Sequence, residues 1–290
     1  SIRKNLGLET GFPSGDERAQ GAAALMLAVR NTIESPLSED LLFAWHRTVM
    51  AGHRHVATGQ WRADVEPMQI VSGAYGHEKV HFEAPPSSRV PSEMARFIRW
   101  FNETAPGGRK AIQKAAVRSA VAHLYFESIH PFEDGNGRIG RALSEKALSQ
   151  GLGRPALLSL SNAIETKRRD YYDALKEAQQ SDEITPWLTW FVHMTLEAQA
   201  QAEAQIDFTL KKARLFDRHR NELNERQLQI LTRMLEEGPN GFEGGMNARK
   251  YMSITGASKA TATRDLQELT TKGIFEPIGG GRSTGYKINL

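Results

Sequence analysis

The chain has 290 residues, 40% of them hydrophobic and 24% charged, which is enough to bury one large core and a smaller one. A formal net charge of +3 is too small to mark the whole surface as a ligand for nucleic acid or a membrane, and the absence of cysteine excludes disulfides and thiolate metal sites. No apolar run reaches the roughly 18 residues of a membrane span, so no membrane partner is expected and a cytoplasmic location is the expectation.

Residues 1 to 60 read as helical. Ala22 to Val29 is a run of strong helix formers, and Ser38-Glu39-Asp40-Leu41 opens a second helix with acidic residues in its first turn. Leu41, Leu42, Trp45 and Val49 fall at core spacing. His46, His53 and His55 lie close together but no nearby carboxylate completes a metal-ligand set, so ordinary structural roles compete with a metal site. Between Trp61 and Pro86 the helical period disappears. Met68-Gln69-Ile70-Val71 and Lys79-Val80-His81-Phe82 are β-prone runs around a glycine-containing loop, a pattern that predicts a β-hairpin with an open edge.

Helices are predicted again over Pro91 to Asn102 and Ala111 to Ile129. The second is almost entirely apolar and should be central. It ends at His130, because Pro131 disfavours helical backbone in the residue before it. A helix over about Arg138 to Gln150 follows, then others over about 165 to 179 and from Pro186 onward. A helical linker is expected over 206–223. From 224 the pattern becomes short helices over Arg226 to Glu236, Asn247 to Met252 and Ser258 to Lys272, then Ile274-Phe275-Glu276, a glycine turn and Tyr286-Lys287-Ile288. The expected fold is therefore mainly α: a helical domain with a hairpin over 1–205 and a small winged helix over 224–290.

The most specific stretch is the loop His130-Pro131-Phe132-Glu133-Asp134-Gly135-Asn136-Gly137-Arg138-Ile139-Gly140-Arg141. Glycines on either side of Asn136 permit backbone N–H groups to converge on an anion, and the following helix start favours phosphate. Arg138 and Arg141, three apart, can each clasp phosphate oxygens. Two arginines at a helix N-terminus oppose the dipole unless an anion is bound, a local conflict that points to function. Asp134 is a hard oxygen ligand suited to Mg²⁺ on phosphates, with helix capping as its alternative. His130, with an ordinary pKa near neutrality, is the candidate base. Phe132 should point inward, and Glu133 should be solvated or a secondary ligand.

At every defined position this loop resembles the signature of the Fic family, His-Pro-Phe-x-Asp-Gly-Asn-Gly-Arg-x-x-Arg. The resemblance extends over roughly residues 1 to 200, through Gly59-Gln60-Trp61-Arg62, the hairpin, Ala84-Pro85-Pro86 and Tyr171-Tyr172. It implies transfer of AMP from ATP to a Ser, Thr or Tyr hydroxyl of a protein, with release of pyrophosphate. His130 would be the catalytic base and Asp134 the Mg²⁺ ligand. Gly135, Asn136, Gly137, Arg138, Ile139, Gly140 and Arg141 would hold the phosphates. Ile70, Val71, Ser72 and Gly73 would line the nucleotide site and dock the target as an added strand. Tyr171, Tyr172 and Gln179 match adenosine-side positions, with helix packing as their alternative. Removal of AMP, or transfer of another phosphate-containing group, is open to the same loop, as is a nucleotide-sensing regulator.

Many members of the family carry an inhibitory helix of pattern Ser/Thr-x-x-x-Glu-Gly/Asn, which residues 1–290 lack. Ser1 to Leu8 resembles the segment after it, so the expectation is a chain that begins downstream of its inhibitor, with Arg141 released. In the C-terminal module, residues 225–290 hold nine Lys+Arg against seven Asp+Glu. Lys259, Thr261 and Arg264 open the predicted recognition helix and Arg282 would tip the wing, as in winged-helix DNA binders. Protein docking or homodimerisation is the alternative use of that module.

Overall fold

The computed structural model describes residues 17–53, 56–64, 68–72, 79–156, 158–280 and 284–290. The chain divides into two compact units, Ser1–Gln199 and Ala200–Leu290.

The first unit opens with helix α1 (Glu17–Asn31) and helix α2 (Glu39–Val49). Ser38 caps α2 by accepting from the Leu41 amide, as its place before two acidic residues predicts. Strands β1 (Gln69–Ser72) and β2 (Lys79–Glu83) pair antiparallel, with Gln69 opposite Glu83 and Ser72 opposite Lys79. Gly73, part of the expected docking segment, lies outside the described residues. Then come α3 (Val90–Glu103), α4 (Ala115–Ile129) and α5 (Asn136–Leu152).

Helix α4 begins four residues later than its alanine-rich sequence predicts. The amides of Lys110 and Ile112 return to the carbonyls of Glu103 and Thr104, so the intervening chain closes the end of α3. Further along, the single helix expected near 165–179 is two, α6 (Leu160–Thr166) and α7 (Arg168–Gln179), broken at Lys167, whose ψ of 35° leaves the helical region.

Helices α4 and α5 form the centre. Phe97 and Phe101 from α3, Phe126 and Ile129 from α4, and Ile139, Leu143 and Ala147 from α5 share one core with Leu42 and Trp45 of α2. Two buried cations tie helix ends together. Arg118 on α4 donates to the carbonyls of Phe101 and Ala147 and to Gln150 Oε1, and burial lowers its pKa to about 10. Lys146 donates to the carbonyls of Thr32 and Ile33 beyond α1. Each brings positive charge to carbonyls near the C-terminal ends of helices. The long helix α8 (Thr185–His219) is anchored by Trp187, whose indole N–H donates to the Ala120 carbonyl at 2.9 Å.

The second unit holds α9 (Glu225–Glu236), α10 (Ala248–Thr255), α11 (Lys259–Thr271) and the antiparallel strands β3 (Phe275–Ile278) and β4 (Gly285–Ile288). A capping box, Asn224 with Gln227, starts α9. Ile230, Leu231, Met234, Tyr251, Leu266 and Leu269 form a separate core. Asp265, 1% exposed, accepts from Arg226 Nε at 3.0 Å and from the Tyr251 hydroxyl at 2.8 Å, which locks the three helices in register. Among the described residues, no helix is long and apolar enough to cross a membrane.

Candidate active site

The motif loop joins α4 to α5, the two central helices, so its geometry is set by the best-packed part of the unit. His130 closes α4 in the left-handed region, with φ 50° and ψ 59°, and its amide still reaches the Phe126 carbonyl. Among the described residues it is the one non-glycine with positive φ. Such a conformation costs about 1 kcal/mol or more in a residue with a Cβ and persists only where the surroundings impose it.

Four contacts impose it here. Phe132 is fully buried, stacked on the His46 ring with centroids 3.9 Å apart. Asn136 folds back on the loop, accepting from the Phe132 amide at 2.9 Å and donating to the Phe132 carbonyl at 2.7 Å. His46 Nδ1 accepts from the Gly59 amide, which leaves its proton on Nε2 to donate to the Asp134 carbonyl at 3.0 Å. Burial pushes the His46 pKa down and keeps this ring neutral. His46 is thus used structurally; among the described residues no group of three or more His, Cys, Asp or Glu could hold a metal, and His55 lies outside them. Finally, Arg62 spans the back of the loop. Its Nε donates to the His130 carbonyl at 2.7 Å, Nη1 to Ser87 Oγ, and Nη2 to the Pro85 carbonyl, while its amide donates to the Pro131 carbonyl.

Helix α5 begins at Asn136, two residues before the predicted start, because Gly135 serves as its N-cap with φ 84°. The anion cradle therefore differs from the expected one. Gly135 is the residue with positive φ, and Gly137 already belongs to the helix, where its amide is one of the first four without an intrahelical acceptor. A Cβ at 135 would also crowd Met50 Sδ at 3.1 Å.

Asp134 Oδ1 accepts from the Gly135 amide at 2.5 Å, and Oδ2 lies 3.4 Å from Arg138 Nη2. Its side chain is 56% exposed. A single exposed carboxylate beside a helix start fits a Mg²⁺ that brings phosphate and water as its other ligands, but not a preformed all-protein site. Glu133 is tied down rather than solvated: its Oε2 accepts from the Ala57 amide at 3.1 Å.

Arg138 donates to the Val49 carbonyl at 3.0 Å, and Arg141 Nε donates to Ser161 Oγ of α6 at 2.9 Å. Both arginines line one cleft, together with Leu25 and Met26 of α1 and Glu145 of α5. Burial holds the Glu145 carboxyl up near about 7. Ile139 points into the core, fully buried, and Gly140 lies against Glu127 of α4; neither offers a side chain to the cleft.

The His130 side chain is 17% exposed, and burial pushes its pKa down to about 4, so the ring is neutral at pH 7. Tyr171 is buried among His123, Trp187 and Trp190, with its hydroxyl 3.0 Å from His123 Nε2. Since Ser144 donates to the Gly140 carbonyl, its oxygen accepts from His123 Nδ1, and His123 Nε2 accepts from Tyr171. That hydroxyl is therefore occupied within the core. Tyr172 is 48% exposed, and Gln179, on the same helix, has a buried and unpartnered Nε2. In the second unit Lys259 and Arg264 are exposed and Thr261 is half-buried against Ser258; Arg282 lies outside the described residues, as do Ser1 to Leu8.

Sequence reasoning did not assign roles to Arg62, Glu127 or Ser161. Arg62 carried a signal, a lone cation directly after Trp61 and before the hairpin. So did Glu127, the one acidic residue of its helix.

The chain resembles known proteins in both of its units. Residues 36–148 match the Fic/DOC family, and residues 243–289 match the C-terminal domain of a DIP2311-like transcriptional regulator. A probable protein adenylyltransferase of Aquifex aeolicus is 30% identical over 149 residues, which is 51% of this chain and 39% of that protein. The protein adenylyltransferase Fic of Drosophila ananassae is 32% identical over 102 residues, 35% of this chain and 18% of that one. The chain thus spans well under half the length of these relatives. Among solved structures, a Fic family protein from Desulfovibrio desulfuricans G20 superposes with a TM-score of 0.53 at 22% identity, covering 99% of this chain and 80% of that chain. A Fic domain containing signaling protein from Bacteroides thetaiotaomicron gives 0.54 at 20% identity, covering 69% and 77%. The mainly helical fold around the motif loop is shared with both. The chain thus resembles Fic/DOC proteins over residues 36–148 and the C-terminal domain of DIP2311-like regulators over residues 243–289.

Proposed function

We propose that this protein is an adenylyltransferase that moves AMP from ATP to a Ser, Thr or Tyr hydroxyl of a protein. The observation that carries this reading is the motif loop itself: a neutral imidazole, an exposed carboxylate, a left-handed glycine at a helix start and two arginines, all on one rigid connection. The names of the relatives support the same activity.

In this reading His130 accepts the proton of the target hydroxyl as its oxygen bonds to Pα. The bond from Pα to the β-phosphate bridging oxygen breaks, and pyrophosphate leaves. The first amides of α5, with Arg138 and Arg141, take up the charge developing on the leaving group. Asp134 holds Mg²⁺, which supplies charge neutralisation on the phosphates when bound. The backbone edge of the β1–β2 hairpin, around Ile70 to Ser72, receives the target segment as an added strand. Tyr172 is the adenosine-side candidate with surface to offer. Incubation with ATP labelled at the α- or γ-phosphate tests the assignment. Protein labelling from α alone is expected; labelling from γ alone would make the enzyme a kinase and overturn it.

The second unit supports a further reading, a winged helix that contacts duplex DNA through Lys259, Thr261 and Arg264 at the exposed start of α11. The favouring observation is the match of residues 243–289 to a transcriptional regulator. Duplex affinity of the full chain should fall by about tenfold or more between roughly 50 and 200 mM salt. The Lys259→Ala, Arg264→Ala double variant should bind more weakly with a shallower salt slope. Binding that is indifferent to salt and to both substitutions would favour protein docking.

A further inference from the structure

Glu127 is buried on α4, three residues before His130. Its Oε2 lies 3.7 Å from His130 Nδ1. Both His130 Nδ1 and Glu127 Oε1 are sealed from solvent without a hydrogen-bond partner. Buried polar atoms are almost always paired, because each orphan carries its full desolvation cost. The unpartnered carboxyl oxygen, Oε1, faces Gly140, while Oε2 is the one near the ring; a movement of roughly 1 Å brings Oε2 within hydrogen-bond distance of the unpartnered Nδ1.

Among the described residues, the hydrogen-bonding groups around the carboxyl are engaged elsewhere, and Arg141 acts on it through its charge. Of the titratable groups around it, His123 is committed at both nitrogens, to Ser144 and Tyr171. The Tyr171 hydroxyl is bound to His123, and Arg141 reaches Ser161. On the His130 side, Arg62 is engaged with backbone carbonyls, and Asp134 with the Gly135 amide. Gly140 supplies the space. A Cβ there would collide with Glu127 Oε1, so the glycine that faces away from the cleft makes room for this carboxyl.

We propose that Glu127 is a positioning residue that selects the tautomer of His130. As a carboxylate it accepts from Nδ1–H, which leaves the lone pair on Nε2, the form able to take a proton from a hydroxyl. As a carboxylic acid it donates to Nδ1, which moves the ring proton to Nε2 and removes that ability. The two states differ by one proton, so pH exchanges them. Burial raises the Glu127 pKa to about 7 and lowers that of His130 to about 4, so near neutrality the carboxyl is the group that titrates. Arg141 opposes the rise of Glu127; the backbone carbonyl of Glu127 and then Asp134 raise His130, and Arg62 lowers it further. The midpoint belongs to the coupled pair. The competent tautomer therefore grows as pH rises through about 7. The inference rests on His130 being the base, the role assigned under the proposed function.

Ring-nitrogen NMR of the full chain labelled with ¹⁵N-histidine, with His130 assigned by its loss in His130→Ala, reads the tautomer directly. The unaltered chain is expected to carry the proton on Nδ1 at pH 8 and on Nε2 at pH 6. In Glu127→Gln, isosteric but unable to ionise, the tautomer should be the same at both. A single tautomer in the unaltered chain, or a switch that survives in the variant, would overturn the proposal. The unaltered chain alone decides the matter if the variant does not fold. AMP transfer from α-labelled ATP should rise with pH through about 7, and in Glu127→Gln it should be about tenfold or more slower, without that rise. A switch without AMP transfer in the unaltered chain overturns the function and leaves the tautomer control; transfer without a switch overturns the tautomer control alone.

Discussion

Replacement of His130 is expected to lower AMP transfer by about two to four orders of magnitude while the dissociation constant for ATP stays within about twofold. The separation follows from geometry. The groups proposed to face phosphate are the α5 amides, Arg138 and Arg141, and the two arginines are held at Val49 and Ser161 rather than at the imidazole. Two substitutions are needed because the position has φ 50°. Ala lacks the side chain but retains the left-handed strain, whereas Asn tolerates that region and cannot act as a base near neutrality. Equal losses in both variants, with melting temperatures close to that of the unaltered chain, isolate the chemistry. Retained transfer in either would remove His130 from the reaction. Acid should act in the same direction: whatever transfer remains below pH 7 disappears as the ring protonates near about 4.

Loss of Arg62 should be the most damaging change outside the motif. Its guanidinium satisfies the carbonyls of His130 and Pro85 and the Ser87 hydroxyl, all behind the loop. Arg62→Ala leaves them unpaired in a buried place, and we expect about 3 to 5 kcal/mol of destabilisation. On the scale of a unit this size that is a fall in melting temperature of roughly 10 °C. Transfer should fall too, since the backbone of His130 loses one of the contacts that hold it left-handed. Arg62→Lys should recover little of either, because an ammonium cannot point at three divergent acceptors through a planar fork. A thermal melt and a transfer assay on both variants check this. A lysine variant indistinguishable from the unaltered chain would mean that charge, not the fork, is what the loop requires.

The contrast between these two residues explains what was legible in the sequence. The place of the loop between two helices was, because Pro131 and the glycines at 135 and 137 are local stop and start signals. The order of helices and hairpin was legible for the same reason: apolar period and proline or glycine stops are local signals. Arg62 and His46 act on the loop from 68 and 88 residues away in sequence, through backbone carbonyls that any residue type supplies, so nothing in their neighbourhood encodes the partner. The start of α4 was misplaced because alanine propensity favoured extending the helix, and the return of the Ile112 amide to Thr104 won instead. Tyr171 and Tyr172 illustrate the remaining limit. Adjacent residues on a helix point about 100° apart, and only the fold decides that the first enters the core and the second the surface.

The hydrogen bond from Arg141 to Ser161 bears on how fast such a site can fill. A free arginine samples many rotamers and loses about 2 kcal/mol of that freedom when fixed. Here the guanidinium is already tethered through Nε, the nitrogen nearest its stem, to a neutral hydroxyl on the neighbouring helix. An arriving anion then meets a side chain already held by one contact at the lining of the cleft. It gains a charge-assisted contact for a smaller loss of disorder. Ser161, which touches no reacting atom, thereby tunes capture rather than chemistry.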